Sequence, residues 1–374
     1  MRFWTHDALD CRAMPHSNLQ NRYATIVAGA GPAGVMAAFH AAAHGSVLLV
    51  DGSALPRDKS CGGMLNEYTQ EFLAEFGTMP EGMTLDPQWV NFRYHDWDRR
   101  ILKPTELRFL NVERRAFDDW LISLLPDNVT VLGATSIATF DQDDCEVRVT
   151  LKASDAEHVV ACEHLVGADG PRSTVRRQLG VGSVGTYVTL QDFCRIEGPI
   201  EPYFDCIYMR DIGDSFGYAY VVPKGDVAIV GSVFYPKTKR PHEKHEAVLG
   251  MLRDKLPLGE STKREAWVAL SVRHRDDVVR GRGRVLLAGE AGGFMSPSSG
   301  EGISYALNTG RLAGTAIAEA NGAGALSGYE TSTRHIAGNI ARKLKWLPFM
   351  ESNTGKYLAG FVPTPIVSRI TKGL

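Results

Sequence analysis

The chain has 374 residues and 44% of them are hydrophobic, which is enough for one large core or two moderate ones. Its 41 lysine and arginine residues nearly balance its 43 acidic residues, so the composition does not favour nucleic-acid binding. No apolar run approaches the length of a membrane span, and residues 1–22 lack the apolar core of a signal peptide. We therefore expect a cytoplasmic protein whose residues 1–22 form a flexible extension.

The first strong pattern runs from Tyr23 to Asp51. An apolar strand, a glycine-rich turn, an alanine-rich helix and a second apolar strand follow one another, and Asp51 ends the second strand. In this context G-x-G-x-x-G predicts a dinucleotide-binding turn, with the phosphates at the N-terminus of the helix. Asp51 is placed to accept from a ribose hydroxyl. The turn comprises Gly29, Gly31, Pro32, Ala33 and Gly34.

Cys61, Gly62 and Gly63 follow a polar loop after Asp51. Two glycines after a cysteine allow the backbone to pass close to a planar ligand. The segment is either a plain turn with a buried thiol or a cysteine beside a cofactor ring. The other cysteines show no C-x-x-C spacing, so we expect reduced thiols and no metal site.

Two helices are predicted next, one over residues 66–76 and one that begins at Asn111 as N-cap. Arg114 lies in the first turn of the second helix, where it either binds a phosphate or is solvated. Short strands at Val129–Leu132, Val147–Leu151 and Val159–Ala161 follow. A further strand ends in the turn Gly167-Ala168-Asp169-Gly170, where Asp169 can hold a sugar hydroxyl, cap the next helix, or do both.

From Tyr187 to Trp267 the hydrophobic period approaches two, and Lys224-Gly225-Asp226 between two apolar runs predicts a hairpin. The aromatic stretch 86–110 either faces a substrate or forms a plain hydrophobic sheet face. We assign 86–110 and 186–265 to an inserted antiparallel substrate domain. Residues 23–85, 111–185 and 266–325 form the nucleotide domain.

The segment from Gly289 to Gly302 lies between a buried strand and a helix over Ile303–Ala320. Its free N–H groups and the helix dipole suit the pyrimidine edge of a flavin, which becomes anionic on reduction. Residues 326–374 are predicted to be helical. They either cap the substrate pocket or touch a membrane surface through basic and aromatic side chains.

Three segments in this order resemble the FAD-binding signature of the flavoprotein hydroxylase superfamily. They are the G-x-G-x-x-G turn, Gly167 to Gly170, and Gly289-Glu290 with Pro297-x-x-Gly300-x-Gly302. Finer details resemble the geranylgeranyl reductase family within it, including a bacterial CbrA-like branch. Those details are Cys61-Gly62-Gly63, Arg114-x-x-Phe117-Asp118, and Glu290, where the hydroxylases usually carry aspartate.

The resemblance implies a Rossmann-like FAD-binding domain, an inserted β-sheet domain and C-terminal helices, an α/β fold with an α+β second domain. It implies that the first turn and Asp51 hold the ADP half of FAD, and that Arg114 helps with the pyrophosphate. Asp169 with Gly170 supports either the adenosine or the second glycine turn of the FAD site, and Glu290 with Gly289 meets the ribityl–pyrophosphate region. Pro297, Gly300 and Gly302 lie in the loop against the isoalloxazine, and Cys61 lies on its substrate side beside Gly62 and Gly63.

The family's substrate strand often has the pattern Tyr-x-Trp-x-Phe-Pro, whereas this chain has Tyr218-Ala219-Tyr220-Val221-Val222-Pro223. The change leaves room for a smaller or more polar substrate than a long isoprenoid. The implied activity is reduction of C=C bonds of a hydrophobic substrate, with Cys61, Tyr218 and Tyr220 as the catalytic candidates. NAD(P)H or another reductant would supply electrons and bind transiently, because the chain has no second dinucleotide motif.

Two other activities stay open from the sequence. One is an FAD-dependent monooxygenase of an aromatic or polyketide-like substrate, and the other is a non-catalytic FAD-binding redox sensor. A halogenase is disfavoured because the Trp-x-Trp-x-Ile-Pro segment is absent. The expected oligomeric state is a monomer or a weak homodimer.

Overall fold

The computed structural model describes residues 19–154, 156–209, 212, 216–320, 324–363 and 365–366. Most of the predicted extension 1–22 therefore lies outside the described residues, as do Cys11 and the basic residues Arg369 and Lys372. Within the described part, the chain forms two sheets of eight strands each. Helices pack against both sheets.

The central strands of the first sheet are parallel. Its strands are β1 (Arg22–Ala28), β2 (Val47–Val50), β6 (Val129–Leu132), β7 (Thr135–Gln142), β8 (Val147–Ala153), β9 (Ala156–Gly167), β15 (Gly281–Arg282) and β16 (Val285–Leu287). The order β16-β9-β1-β2-β6 is parallel throughout. β7 and β8 extend β9 as an antiparallel meander, and β15 pairs antiparallel with β16. The two short strands predicted between Val159 and Gly167 are one continuous strand, β9.

The second sheet contains β3 (Met64–Leu65), β4 (Thr84–Asp96), β5 (Ile101–Val112), β10 (Gly185–Ile196), β11 (Tyr203–Tyr208), β12 (Phe216–Lys224), β13 (Val227–Phe234) and β14 (Leu258–Ser271). Their order is β14-β10-β13-β12-β11-β4-β5-β3. Neighbouring strands are antiparallel except β4 and β11, which are parallel. The predicted hairpin is β12 and β13, joined at Gly225-Asp226. The sheet is therefore mixed at one pair, because β4 and β11 belong to hairpins that are far apart in the chain.

The helices are α1 (Pro32–Ala41), α2 (Glu67–Ala74), α3 (Arg114–Ser123), α4 (Thr174–Leu179), α5 (Pro241–Arg253), α6 (Ile303–Glu319), α7 (Ala325–Ser332), α8 (Arg334–Glu351) and α9 (Asn353–Ala359). The sequence analysis did not predict α5, which interrupts the period-two pattern between β13 and β14. Its buried side chains Val248, Leu249 and Leu252 join the core of the second sheet. The helical prediction for the tail agrees with α7, α8 and α9.

The helix α6 lies against α1 at very short range, because two glycines face the backbone of α1. A Cβ on Gly310 would lie 2.1 Å from the carbonyl oxygen of Ala33, and one on Gly314 would lie 2.5 Å from that of Ala37. The helix after the second glycine-rich loop is thus packed directly on the helix after the first. This contact brings the two loops to one place.

The expected N-cap of α3 was wrong. Asn111 lies inside β5, and its side-chain Nδ2 donates to the carbonyls of Pro87 and Pro223, at 2.9 Å each. The cap is Glu113, whose carboxylate accepts from the N–H of Ala116 at 2.6 Å. Both residue types can accept from a helix N-terminus. Asn111 is fully buried between strands, so its amide satisfies strand carbonyls instead.

No helix in the described part of the chain is long and apolar enough to cross a membrane. Large apolar side chains are nevertheless exposed near the C-terminus, among them Trp346, Phe349 and Phe361. Contact of this region with a membrane surface stays a prediction.

Candidate active site

The glycine turn after β1 is built so that two of its positions tolerate only glycine. Gly29 has φ 98°, and a Cβ on it would lie 2.4 Å from the carbonyl oxygen of Ala168. A Cβ on Gly34 would lie 1.7 Å from the carbonyl oxygen of Gly29. Strand, turn and helix therefore approach one another as closely as the backbone allows. Pro32 and Ala33 open α1 with Gly31 as its N-cap.

The carboxylate of Asp51 fastens this turn to the second strand. Its Oδ2 accepts from the N–H of Ala30 at 2.8 Å, and its Oδ1 accepts from the N–H of Ser53 at 2.9 Å. Each carboxylate oxygen can accept a second hydrogen bond. Asp51 can therefore hold the turn and still accept from a ribose hydroxyl.

Arg57 lies across the turn. One of its terminal nitrogens, Nη2, is 2.7 Å from where a Cβ on Gly31 would stand, and the same nitrogen is 3.3 Å from Asp118. Its Nε is 3.5 Å from Asp51, but this buried N–H has no hydrogen-bond acceptor. A buried donor without an acceptor is costly unless a ligand completes it. The sequence analysis placed Arg57 only in a polar loop; a cation soon after the acidic strand end was the available signal.

A cavity of about 290 Å³ opens beside the turn. It joins residues from five separate segments of the chain, because the ends of β1, β2 and β9 meet there beside β7 and β14. Its lining includes Gly29, Gly31, Asp51, Arg57, Asp169, Gly170 and Trp267. The structure thus brings together Gly29, Gly31, Asp51 and Asp169 of the residues predicted for the ADP half of the cofactor, whereas Gly34 and Arg114 do not line this cavity.

Asp169 serves the start of α4. Its Oδ1 accepts from the hydroxyl of Ser173 at 2.5 Å, and its Oδ2 accepts from the N–H of Thr174 at 2.7 Å and of Val175 at 3.3 Å. Burial raises the pKa of Asp169, although these hydrogen bonds oppose the change. Ser173 is the N-cap of α4, and Asp169 accepts from two further N–H groups of the first turn, so its carboxylate does bind the start of the helix. Its contact with adenosine stays a prediction.

The second glycine-rich segment meets the first through Gly289. This residue has φ 57°, and its N–H donates to the hydroxyl of Thr309 on α6 at 2.9 Å. A Cβ on Gly289 would lie 2.8 Å from the Cβ of Ala33. Glu290 accepts from the N–H of Leu270 at 2.8 Å, and burial raises its pKa against the attraction of Lys59.

The loop from Pro297 to Gly302 leads into α6, with Pro297 buried and Gly302 as the N-cap. We expected the first N–H groups of α6 to be free for a flavin edge. The N–H of Ser304 instead donates to its own neighbour Glu301, at 2.8 Å. A glutamate just before the first turn can fold back onto it, as in other helix caps. The Tyr218 hydroxyl lies 3.8 Å from where a Cβ on Gly300 would stand, so this loop faces the second sheet.

Cys61 is half-buried, and its sulfur accepts from the N–H of Gly63 at 3.4 Å. Burial would raise the pKa of the thiol, but the charge and hydrogen bond of Arg114, the Gly63 N–H and the charge of Lys59 together lower it. A lowered pKa increases the thiolate fraction, which is the reactive form. Gly62 continues the turn, and Gly63 has φ 63°.

Arg114 is buried and lies between Asp118 and Cys61. Its Nη2 donates to both oxygens of the Asp118 carboxylate, at 2.8 and 3.0 Å. The guanidinium is thus engaged by a carboxylate and directed at the thiol. Its predicted contact with the pyrophosphate stays a prediction, and Arg57 lies closer to the glycine turn.

Tyr220 is buried and its ring lies across Gly231, where a Cβ would be 2.0 Å from the ring. The side chain of Gln191 donates to the Tyr220 hydroxyl and accepts from the hydroxyl of Ser60, next to Cys61. This hydrogen-bonded chain ties the substrate sheet to the cysteine turn. The sequence analysis missed Gln191 and Ser60, because nothing local marks either residue. It also missed Lys224, a buried lysine beside Gly63.

These observations fit a dinucleotide cofactor. The glycine turn leaves the backbone accessible, the cavity continues from it, and Arg57 offers an unused buried N–H. Beyond the turn, the half-buried Cys61 thiol lies among Arg114, Lys59 and Lys224, and Ser60 beside it is linked through Gln191 to Tyr220 of the second sheet. The fold and site define a dinucleotide-binding protein with two sheets. The first sheet carries the nucleotide site, and the reactive side chains, Cys61 and Tyr220, lie towards the second sheet.

The family model described as an FAD binding domain matches residues 124–343. The match covers more than half of the chain, which therefore belongs to this family. The predicted fold class, a Rossmann-like FAD-binding domain with a second β-sheet domain, is confirmed. The chain is an FAD-dependent oxidoreductase.

Among sequence relatives, Protein CbrA of Escherichia coli O9:H4 (strain HS) is 29% identical over 297 residues, which are 76% of this chain and 79% of that protein. Among solved structures, a geranylgeranyl bacteriochlorophyll reductase-like protein from Thermoplasma acidophilum superposes with TM-score 0.75 at 19% identity, over 94% of this chain and 96% of that chain. The anhydrotetracycline hydroxylase OxyS from Streptomyces rimosus superposes with TM-score 0.60 at 22% identity, over 91% and 75%. The flavin-dependent halogenase CmlS gives TM-score 0.68 at 18% identity, over 94% and 70%. These structures share the fold.

Proposed function

We propose that this protein reduces C=C bonds of a hydrophobic substrate, with Cys61 next to the bond that is reduced. The observation that carries the proposal is the half-buried Cys61 thiol, which Arg114 and Gly63 hold in one orientation with a lowered pKa. Reduced FAD, when bound, supplies the hydride for such a reaction. NAD(P)H or another reductant is the proposed source of the electrons.

The residues of the chain have three tasks in this reaction. Arg57, Asp51 and the glycine turn bind the cofactor's ADP half, and the second glycine-rich loop faces the substrate sheet. Cys61 supports proton delivery to the carbon opposite the one that receives hydride by ordering the water molecule or neighbouring group that donates the proton, since its thiolate accepts a hydrogen bond from such a donor. Tyr220 closes the apolar side, and its hydroxyl is kept in place by Gln191.

The second sheet also supports a substrate with polar groups. Tyr218 and Tyr208 lie with ring centroids 6.4 Å apart, and Tyr218 and Tyr220 are 6.3 Å apart. Burial raises the pKa of all three phenols, so each stays a neutral donor. A phenolic face binds an amphipathic molecule better than a pure hydrocarbon.

The test follows the flavin absorbance of the purified protein. The bound flavin is reduced without oxygen, and candidate polyprenyl and smaller activated alkenes are added. Reoxidation by an alkene in the absence of oxygen is the expected result. If no alkene reacts but air gives a flavin–oxygen adduct that a substrate discharges, the protein is a monooxygenase and the proposal is wrong. A flavin that neither donor nor alkene changes would indicate a redox sensor.

Cys61→Ser tests the assigned residue in the same assay. The variant is expected to retain FAD, because the glycine turn and Arg57 are untouched, and to slow alkene-dependent reoxidation at least about tenfold. Cys145→Ser is the matched control, since Cys145 is exposed in the turn between β7 and β8. Unchanged turnover in Cys61→Ser would remove Cys61 from the mechanism.

A further inference from the structure

Lys224 is a buried lysine at the end of β12, and only 7% of its surface is exposed. Its Nζ donates to the carbonyl of Val112 at 3.0 Å and to that of Gly63 at 3.4 Å. Among the described residues it forms no ion pair, and the carboxylate that acts on its charge, Glu113, does so from a longer distance. Two backbone carbonyls therefore replace the counter-ion that a buried ammonium normally requires.

Burying an ammonium without a counter-ion costs folding free energy, which suggests that the charge has a functional role. The pKa of Lys224 is lowered to about 7, chiefly by burial and to a smaller extent by the charge of Arg114, while Cys61 and Glu113 act in the opposite direction. Lysines whose pKa is brought near neutrality by burial occur preferentially at functional sites. The groups that face Lys224 are those of the cysteine turn and of the start of α3.

Gly63 connects Lys224 with Cys61. The N–H of Gly63 donates to the Cys61 sulfur, and its carbonyl accepts from Lys224. A Cβ on Gly63 would lie 2.2 Å from the Val112 carbonyl oxygen and 2.7 Å from Lys224 Nζ. The ammonium thus bridges the cysteine turn and β5 across a space that only a glycine leaves open.

We propose that Lys224 is a positioning residue for Cys61. Its ammonium fixes the Cys61-Gly62-Gly63 turn against β5 and adds positive charge that stabilises the thiolate. Loss of its proton weakens both effects, because a neutral amine donates more weakly to the two carbonyls. The inference rests on the role proposed for Cys61, but thiol reactivity reports on it without any substrate.

The test is alkylation of the FAD-loaded protein by iodoacetamide over a series of pH values, with the modified Cys61 peptide quantified by mass spectrometry. Lys224→Met keeps the apolar stem and removes the charge. We expect its alkylation rate at neutral pH to fall about threefold, which corresponds to half a pKa unit of the thiol. The two rates should converge at high pH, where every accessible thiol is ionised.

Lys224→Arg retains a charge that does not titrate in this range. It should keep the thiol reactive and shift its apparent pKa below that of the wild type. Lys152→Met on the exposed side of β8 is the control for a general effect of lysine loss. Superimposable pH profiles for wild type and Lys224→Met would overturn the proposal. If Lys224→Met does not fold, superimposable profiles for wild type and Lys224→Arg would overturn it equally.

These outcomes separate the two proposals. An alkene that fails to reoxidise the flavin contradicts the proposed reaction and leaves the thiol profiles unaffected. Unchanged thiol profiles contradict the role of Lys224 whatever the flavin does.

Discussion

The nucleotide end of the site, around the glycine turn and Asp51, and the thiol end, around Cys61 and Lys224, differ in how their buried charged groups are compensated. At the nucleotide end, Asp51 and Asp169 accept from backbone N–H groups of the turns beside them. At the thiol end, Lys224 is buried without a carboxylate partner among the described residues, and Cys61 lies among cations. The first arrangement gives a rigid cradle, whereas the second places a lysine with a pKa of about 7 beside a thiol whose pKa is lowered.

This difference separates two kinds of substitution. Changes at the nucleotide end should act on folding and on cofactor retention, because its glycines and acids fix the backbone. Changes at the thiol end should act on pH profiles, because its residues tune one another's charge. A nucleotide-end variant that changed only a pH profile, or a thiol-end variant that lost the cofactor, would contradict this comparison.

The largest effect is expected from Gly34→Ala. The new methyl group would meet the Gly29 carbonyl oxygen at 1.7 Å, and neither backbone can move without opening the turn. We expect a loss of about 3 kcal/mol or more in the free energy of unfolding, together with loss of bound FAD. Thermal unfolding and flavin content after desalting measure the two effects.

Gly338→Ala is the matched control. Gly338 lies in the exposed part of α8, and a Cβ on it would meet nothing within 4 Å. The same change there should stabilise the helix by up to about 1 kcal/mol. Equal behaviour of the two variants would show that the turn is not a tight cradle.

The next effect is expected from Arg57→Gln. The variant removes a buried N–H that has no protein acceptor, and also the ion pairs with Asp51 and Asp118, so we expect some loss of stability in the apoprotein and the larger loss in cofactor binding. We expect FAD affinity to fall roughly ten- to hundredfold, the usual range for a hydrogen bond to a charged group. Quenching of flavin fluorescence in a titration of the apoprotein measures the dissociation constant.

Arg115→Gln removes a neighbouring arginine whose side chain is 44% exposed, and it should leave that constant unchanged. If Arg114→Gln weakened FAD more than Arg57→Gln, the pyrophosphate role predicted for Arg114 would be supported over that of Arg57.

The sequence predicts the nucleotide end of the site better than the thiol end, because the first is built from one local segment and the second from distant ones. Gly29 to Gly34 and Asp51 lie within one strand–turn–helix–strand unit, so their spacing in the sequence was enough to predict a dinucleotide-binding turn. Lys224, Gln191 and Ser60 meet only because β12, β10 and the loop before β3 come together. Asn111 shows the same limit, since a good capping residue serves two strands instead. The helix α5 was not predicted, because the alternating hydrophobic pattern of the strands on either side of it dominated the segment.

The smallest effect is expected at His245, which is buried like Lys224 but has partners on both ring nitrogens. Its ring contacts Ser232 at 2.7 Å and Asp192 at 3.1 Å, and Arg264 neutralises that aspartate. Burial lowers the pKa of His245 below 6.5, while Asp192 opposes the change. The unfolded chain therefore takes up the proton first, so this stability is fully present above pH 6.5 and is lost as the pH falls through the folded-state pKa.

His245→Gln should consequently flatten the acid side of the stability curve without altering Cys61 alkylation. His242→Gln, on the exposed side of the same helix, should leave that curve as it is in the wild type. Urea unfolding at neutral and mildly acidic pH measures the slope for each variant. A shift of the Cys61 profile in His245→Gln would mean that buried charge on the far face of the sheet reaches the thiol. The tuning of Cys61 would then belong to the whole second sheet and not to the residues that touch Gly63.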